Sequence, residues 1–219
     1  MNGLNIEDYS LIENRIAHLK HRGVFESLVK GSSSKDNKPQ PTLTFPCIDW
    51  LESCDFSNWN MVEIGSGNST LYFAERFKQV YSFETDRTWY MKMKRFMPDN
   101  VCYKMFDKNN ADTIEINWLD RSLVLIDCNS NRFIVSQYFI GKKFNLYILD
   151  NTESFPNTVE LFLRNGYTEI PFFGPKHIGV YESCTSLFIK DLKHMPPKNK
   201  GYRQELCKPY KQNLWDSIT

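Results

Sequence analysis

The sequence predicts an α/β protein built on a doubly wound, mostly parallel sheet. Three observations carry that expectation. Five short apolar runs recur along the chain, and each is followed by a stretch with helical spacing. A glycine turn, Gly65-Ser66-Gly67, follows the first run. Two final runs have no helix between them and read as an antiparallel pair.

The elements follow in order. Ser10-Leu11-Ile12-Glu13 has the S-x-x-E form of a capping box, and Ile12, Ile16, Leu19, Val24, Phe25 and Leu28 continue at helical spacing. One or two amphipathic helices over 8–29 are expected, to cover the sheet, lid a site or make a homodimer contact. His18 and His21 read as surface residues of these helices. Residues 31–41 have linker composition, so they form a surface loop or a mobile flap. Phe45-Pro46 opens a short helix over 48–54. Residues 61–64 form the first buried strand, 71–77 a helix, and 80–83 a second strand that ends in Glu84. A helix over 85–97 carries Trp89, Met93 and Phe96 on one face and stops at Pro98. Residues 101–106 form a strand closed by Asp107, and 111–118 a helix. The strand over 123–126 ends at Asp127 and precedes a helix over 132–140. The strand over 146–149 ends at Asp150-Asn151, and a helix over 158–165 is stopped by Gly166. Runs 168–173 and 185–189 are the last pair. Domain boundaries follow: an N-terminal helical extension and linker over 1–44, the main domain over 45–190, and a tail over 191–219.

Composition bounds the rest. The 219 residues can bury a sizeable core, and 16 Phe, 11 Tyr and 5 Trp argue for a folded chain. A formal charge of +1 gives no bulk field toward nucleic acid or membrane. No apolar run is long enough to span a bilayer, and the N-terminus lacks a signal-peptide pattern, so a cytoplasmic protein is expected. Six cysteines at 47, 54, 102, 128, 184 and 207 form no C-x-x-C pair and read as free thiols. The glycosylation-like Asn68-Ser69-Thr70 lies in the glycine loop of a chain with no secretion signal, and is discounted.

The stretch M-V-E-I-G-S-G-N-S-T over 61–70 is the centre of this plan. It reads strand, glycine turn, helix, and leads to a second strand tipped by an acid. Glycine lets the backbone turn and approach a ligand where a Cβ would collide. Glu84 stands nineteen residues after Gly65, where a carboxylate accepts hydrogen bonds from both ribose hydroxyls. Thr70 stands where a dinucleotide fingerprint would have its third glycine. Glu63, Glu84, Asp107, Asp127 and Asp150 all fall at strand carboxyl ends, where open α/β sheets bind ligands.

E-x-G-x-G without the third glycine resembles motif I of the class I S-adenosylmethionine-dependent methyltransferases. Five β-then-α units followed by a hairpin match that family's Rossmann-like sheet of seven strands with the last one antiparallel, over roughly 45–190. The resemblance implies S-adenosyl-L-methionine as cofactor, held by Glu63, Gly65, Ser66, Gly67, Ser69, Thr70, Glu84, Asp107 and Asp127. Asp107 would read the adenine amino group, or else cap the following turn.

Asp127 with Asp150-Asn151 resembles the metal site of catechol O-methyltransferases and of macrocin-type sugar O-methyltransferases. That implies Asp127, Asp150 and Asn151 as Mg²⁺ ligands and a small hydroxyl or sugar acceptor. The alternative is that the two acids position substrate or cap helices. Catechol enzymes place a lysine base after the fourth-strand acid, whereas this chain has Arg132, a poor base that either anchors an anionic substrate or caps its helix. I-D-x-x-x-x-R, L-D-N-T-E and F-x-G-P ahead of T-S-L-F are similar to a group of small bacterial methyltransferases. His177, in the loop before the last strand, is the remaining candidate base. The catalytic set is therefore Asp127, Arg132 and His177. Rival readings are an RNA or protein methyltransferase, an NAD-dependent oxidoreductase, and a non-catalytic nucleoside-binding scaffold. The Lys/Pro-rich tail reads as solvated, with Tyr202, Leu206, Tyr210 and Trp215 able to pack back.

Overall fold

A computed structural model of the chain describes residues 6–107, 110–114, 116, 121–129, 131–178 and 182–200. The extension holds α1 (Ile6–His21), α2 (Val24–Lys30) and a hairpin of β1 (Ser34–Lys35) and β2 (Lys38–Pro39), and α3 (Phe45–Ser53) opens the main domain. The main domain then runs β3 (Asn60–Ile64), α4 (Asn68–Ala74), β4 (Gln79–Glu84), α5 (Arg87–Lys94) and β5 (Val101–Met105). It continues with β6 (Ser122–Ile126), α6 (Arg132–Gly141), β7 (Leu146–Asp150), α7 (Pro156–Arg164), β8 (Thr168–Gly174) and β9 (Ser183–Ile189).

The main sheet has the order β5-β4-β3-β6-β7-β9-β8. Pairs among β3 to β7 are parallel, and β9 runs antiparallel to both β7 and β8. The order reverses at β3, which has β4 on one side and β6 on the other. Open α/β sheets bind ligands in the crevice beyond the carboxyl ends of the strands at such a reversal, here the ends of β3 and β6.

The central strands are apolar on both faces because both faces are covered. Met61, Leu123, Leu125, Leu146, Ile148, Leu187 and Ile189 point to a layer with Phe45, Ile48, Leu51 and Phe73 of α3 and α4. Their alternates Val62, Ile64, Val124, Ile126, Tyr147, Leu149 and Phe188 pack with Val135, Phe139 and Phe162 of α6 and α7. Phe162 stacks on Phe188 with ring centroids 4.4 Å apart.

Several expectations are corrected. α1 begins at Ile6, so Ser10 lies inside the helix and does not cap it. Residues 31–41 are a folded hairpin rather than a slack linker. Ser33 is buried, its hydroxyl lies 2.8 Å from that of Thr42, and its carbonyl accepts the Asn68 amide at 2.7 Å. Gly23, at φ +78°, permits this packing, since a Cβ there would lie 2.6 Å from the Ser34 carbonyl oxygen. Helix α5 is shorter than 85–97 because Asp86 caps it, accepting from the Trp89 N–H at 2.8 Å. In place of the helix over 111–118 stands a single 3₁₀ turn, Ala111–Thr113, and residues 115, 117 and 118 lie outside the described residues. The start of the tail docks: Pro197 accepts from the Asp55 N–H and Ser53 from that of Asn199. The aromatic residues beyond 200 lie outside the described residues. No described helix is long and apolar enough to cross a membrane.

Candidate functional site

The glycine turn is fixed by backbone packing at the crevice. Gly65 has φ +96°, and its N–H donates to the Phe83 carbonyl at 2.9 Å. A Cβ on Gly65 would lie 2.2 Å from the carbonyl oxygen of Asp127. Only glycine lets β3 turn this close to the end of β6. The turn then enters α4, where the Gly67 N–H donates to the Thr70 hydroxyl at 3.1 Å.

Beneath the turn lies Glu63, fully buried. Its Oε2 accepts from the Thr70 hydroxyl at 2.6 Å and the Ser82 hydroxyl at 2.8 Å. Oε1 has no hydrogen-bond partner among the described residues, although the Ser69 hydroxyl is near enough to favour the anion. Burial outweighs these donors and pushes the Glu63 carboxyl up to about 7. Glu63 thus braces the loop from below, through Thr70.

Glu84 closes the other side. Its Oε2 accepts from Ser66, through N–H at 3.1 Å and hydroxyl at 2.7 Å. Its Oε1 accepts the N–H groups of Thr85 at 2.7 Å and Asp86 at 2.9 Å. The Ser66 hydroxyl also lies 2.7 Å from the Tyr103 hydroxyl, and Trp89 Nε1 donates to the Ser66 carbonyl at 2.8 Å. A carboxylate has about four acceptor positions, so a ribose diol at Glu84 would take over from Ser66 on Oε2.

At the far side of the crevice, Asp127 and Asp150 are both paired with cations of the chain. Arg132 Nη2 donates to Asp127 Oδ1 at 2.9 Å, Nε donates to the Cys128 carbonyl at 3.0 Å, and Nη1 donates to the Asp150 carbonyl. Its guanidinium also lies 4.5 Å from the centre of the Phe155 ring. Arg132 is therefore a buried tie between β6, α6 and β7, not an open anchor for an anion. Asp150, 2% exposed, accepts from Lys176 Nζ at 2.6 Å and from the Thr185 hydroxyl at 2.6 Å. The Asn151 amide, turned to suit its neighbours, donates to Asp150 Oδ2 at 2.7 Å and accepts from Lys176 Nζ at 3.0 Å. Burial and the neighbouring Asp127 charge raise the Asp150 carboxyl, and Lys176 opposes them.

This arrangement does not fit the expected magnesium. A divalent ion on Asp127, Asp150 and Asn151 would have to displace an ammonium and a guanidinium that the fold itself supplies. No cluster of three or more His, Cys, Asp or Glu suited to a metal occurs among the described residues.

No family model matches the chain, and no curated protein matches it. Solved structures do. A precorrin-6y C5,15-methyltransferase from Geobacter metallireducens is 11% identical, with 73% of this chain and 98% of that one covered and a TM-score of 0.53. TrmK of M. capricolum, solved with S-adenosylhomocysteine, is 12% identical over 75% of this chain and 74% of that one, with a TM-score of 0.47. An rRNA methylase from Streptococcus thermophilus is 11% identical over 66% and 93%, with a TM-score of 0.48. The first of these and the strand order decide the architecture. The chain has the class I methyltransferase fold.

Within that fold, the other expected site residues are placed as follows. Asp107 is exposed at the end of β5, and its N–H donates to the Thr113 hydroxyl at 2.8 Å. His177 is 1% exposed and lies edge-on to Phe45, with ring centroids 4.9 Å apart. Burial, then the Arg22 charge, lowers it to about 4. Its Nδ1 has no hydrogen-bond partner among the described residues. His177 therefore holds the extension against the domain, and its burial removes it from the role of open base. Phe45 N–H donates to the Pro175 carbonyl at 2.9 Å, and Arg22 pairs with Asp49 and covers the Phe45 ring.

Two residues had no sequence-level assignment and stand at the site. Lys176, in F-x-G-P-K, neutralises Asp150. Thr185 donates to Asp150 and accepts the Thr44 N–H at 3.1 Å, which links the extension to the site. A lysine between two antiparallel strands facing a row of strand-end acids was the available signal.

Proposed function

We propose that the chain is an S-adenosylmethionine-dependent methyltransferase that methylates the hydroxyl of a small molecule, without a divalent metal. The observation that carries the cofactor half is the Gly65 turn at the strand-order reversal, with Glu84 bonded to that same turn. Bound there, S-adenosylmethionine supplies a methyl group on a sulfonium sulfur. Glu84 would hold the ribose diol, Asp107 the adenine amino group, and the Ser66–Gly67 backbone would line the nucleoside.

The acceptor half rests on the opposite wall. Asp127 and Asp150 stand at the ends of β6 and β7, Lys176 reaches Asp150 from the loop after β8, and the extension is pinned beside them through Thr44 and Thr185. A covered polar wall of this kind suits a small hydroxyl compound. It excludes water and orients an oxygen by hydrogen bonds. The test is release of S-adenosylhomocysteine when the protein is given S-adenosylmethionine with a panel of hydroxyl compounds or with total RNA, each in excess EDTA. Turnover with a hydroxyl compound supports the reading. Turnover with RNA alone would move it to the nucleic-acid rival.

A further inference from the structure

We propose that Lys176 is the resident cation at the acceptor end of the crevice, its ammonium standing where a divalent metal would bridge Asp150 and Asn151. Side-chain geometry places Lys176 there, and its relation to the acceptor rests on the methyltransferase reading.

The sequence presents hard oxygen donors at the ends of β6 and β7, and the structure fills them. Nζ lies 2.6 Å from Asp150 Oδ2 and 3.0 Å from the Asn151 amide oxygen. These are hydrogen-bond lengths, longer than the roughly 2.0–2.1 Å that Mg²⁺ demands. An ammonium has three donors, and these two acceptors use two of them.

The pair is also locked. Lys176 is 8% and Asp150 2% exposed at the side chain, so water screens their attraction little. Thr185 fixes the second oxygen of Asp150, and the Thr44 N–H fixes Thr185. Asp150 cannot swing toward a metal without breaking that chain. Asp127, the third expected ligand, is held by Arg132. A metal entering here would leave a buried ammonium without its counter-ion, which is strongly unfavourable.

The position matters because Asp127 joins the two halves of the crevice. Its carbonyl abuts Gly65 of the nucleoside turn, and its charge acts on Asp150. On the methyltransferase reading, an ammonium rather than a metal therefore stands inside the acceptor wall, where its charge and not an open face is what the acceptor senses. The ammonium's charge favours an acceptor oxygen and repels a protonated amine.

Manganese binding to the whole chain, read by water-proton relaxation, tests this, with Mn²⁺ as the probe. The wild type is expected to bind no Mn²⁺ at millimolar concentration. Lys176→Ala is expected to bind it about ten-fold more tightly or better, and Asp150→Asn in the same chain to abolish the gain. Lys176→Gln, which keeps a donor to Asp150 without the charge, is the second variant should the first not fold. Tight Mn²⁺ binding by the wild type overturns the proposal, as does a folded variant with no gain. S-adenosylhomocysteine binding, measured on the same samples, reads the methyltransferase assignment separately: its absence would end that assignment and leave the manganese result standing.

Discussion

The Cβ that Gly65 lacks would sit 2.2 Å from the carbonyl oxygen of Asp127. The atom it would meet is backbone, just past the end of β6, so no side chain can move to relieve the clash. Gly65→Ala adds that collision to an unfavourable φ of +96°. We expect a loss of about 2 kcal/mol or more in urea unfolding, with nucleoside binding lost as well. Wild-type stability in that variant would show that the turn is not packed as described.

Glu84 has its acceptor positions occupied by the chain, with Ser66 on Oε2. Ligand hydroxyls must therefore compete with Ser66. Glu84→Ala should weaken S-adenosylhomocysteine binding by about 2 kcal/mol or more, since hydrogen bonds to a charged group contribute roughly 1.5–3 each. Ser66→Ala should lose far less, because it frees one of the two occupied positions on Oε2 for the ribose while the backbone N–H stays. Titration calorimetry on both variants reads the contrast, and equal losses would count against the competition.

Arg132 serves structure first. Arg132→Met would remove the guanidinium's bonds to the Asp150 and Cys128 carbonyls and its ion pair with Asp127. Removing one partner of a buried pair costs about 3–5 kcal/mol, reduced here because Asp127 is 28% exposed at its side chain. Thermal unfolding should show a lower Tm in salt and in buffer alike. A Tm unchanged from wild type would return Arg132 to the role of substrate anchor.

Two buried groups give opposite pH dependences. Glu63 is raised from 4.5 to about 7, so its contribution is full below 4.5 and is lost as pH rises through 7. His177 is lowered from 6.5 to about 4, so its contribution is full above 6.5 and is lost as pH falls through 4. Each shift corresponds to about 3 kcal/mol at its limit. Glu63→Gln keeps an oxygen for Thr70 and Ser82 and removes the charge. Its stability relative to wild type should climb between pH 4.5 and 7.5, by up to that amount, in denaturant titrations at each pH. A difference independent of pH would mean that Glu63 is not buried as a charge.

Much of this was legible because the signals were local. The strand runs, Gly65 and Glu84 are read from spacing alone, and β3, β4, β6 and β7 lie where their apolar runs place them. Helix ends were read less well: Asp86 as a cap is a hydrogen bond, not a pattern, and Ser10 has the capping form inside a helix. The linker composition of 31–41 hid a hairpin, because Ser33 and Gly23 pack through backbone contacts that composition does not encode. The acceptor wall was least legible. Lys176 and Thr185 lie 26 and 35 residues after Asp150; the β7–β9 pairing sets Thr185 opposite Asp150, and the loop that leads into β9 brings Lys176. Sequence shows the acids and cannot show that they already hold cations.

The most direct test of the central claim is calorimetric titration of the chain with S-adenosylhomocysteine in EDTA, with NAD⁺ as control. Saturable binding of S-adenosylhomocysteine is expected, with none of NAD⁺ and loss of binding in Glu84→Ala. No binding, or binding that Glu84→Ala leaves unchanged, would contradict it.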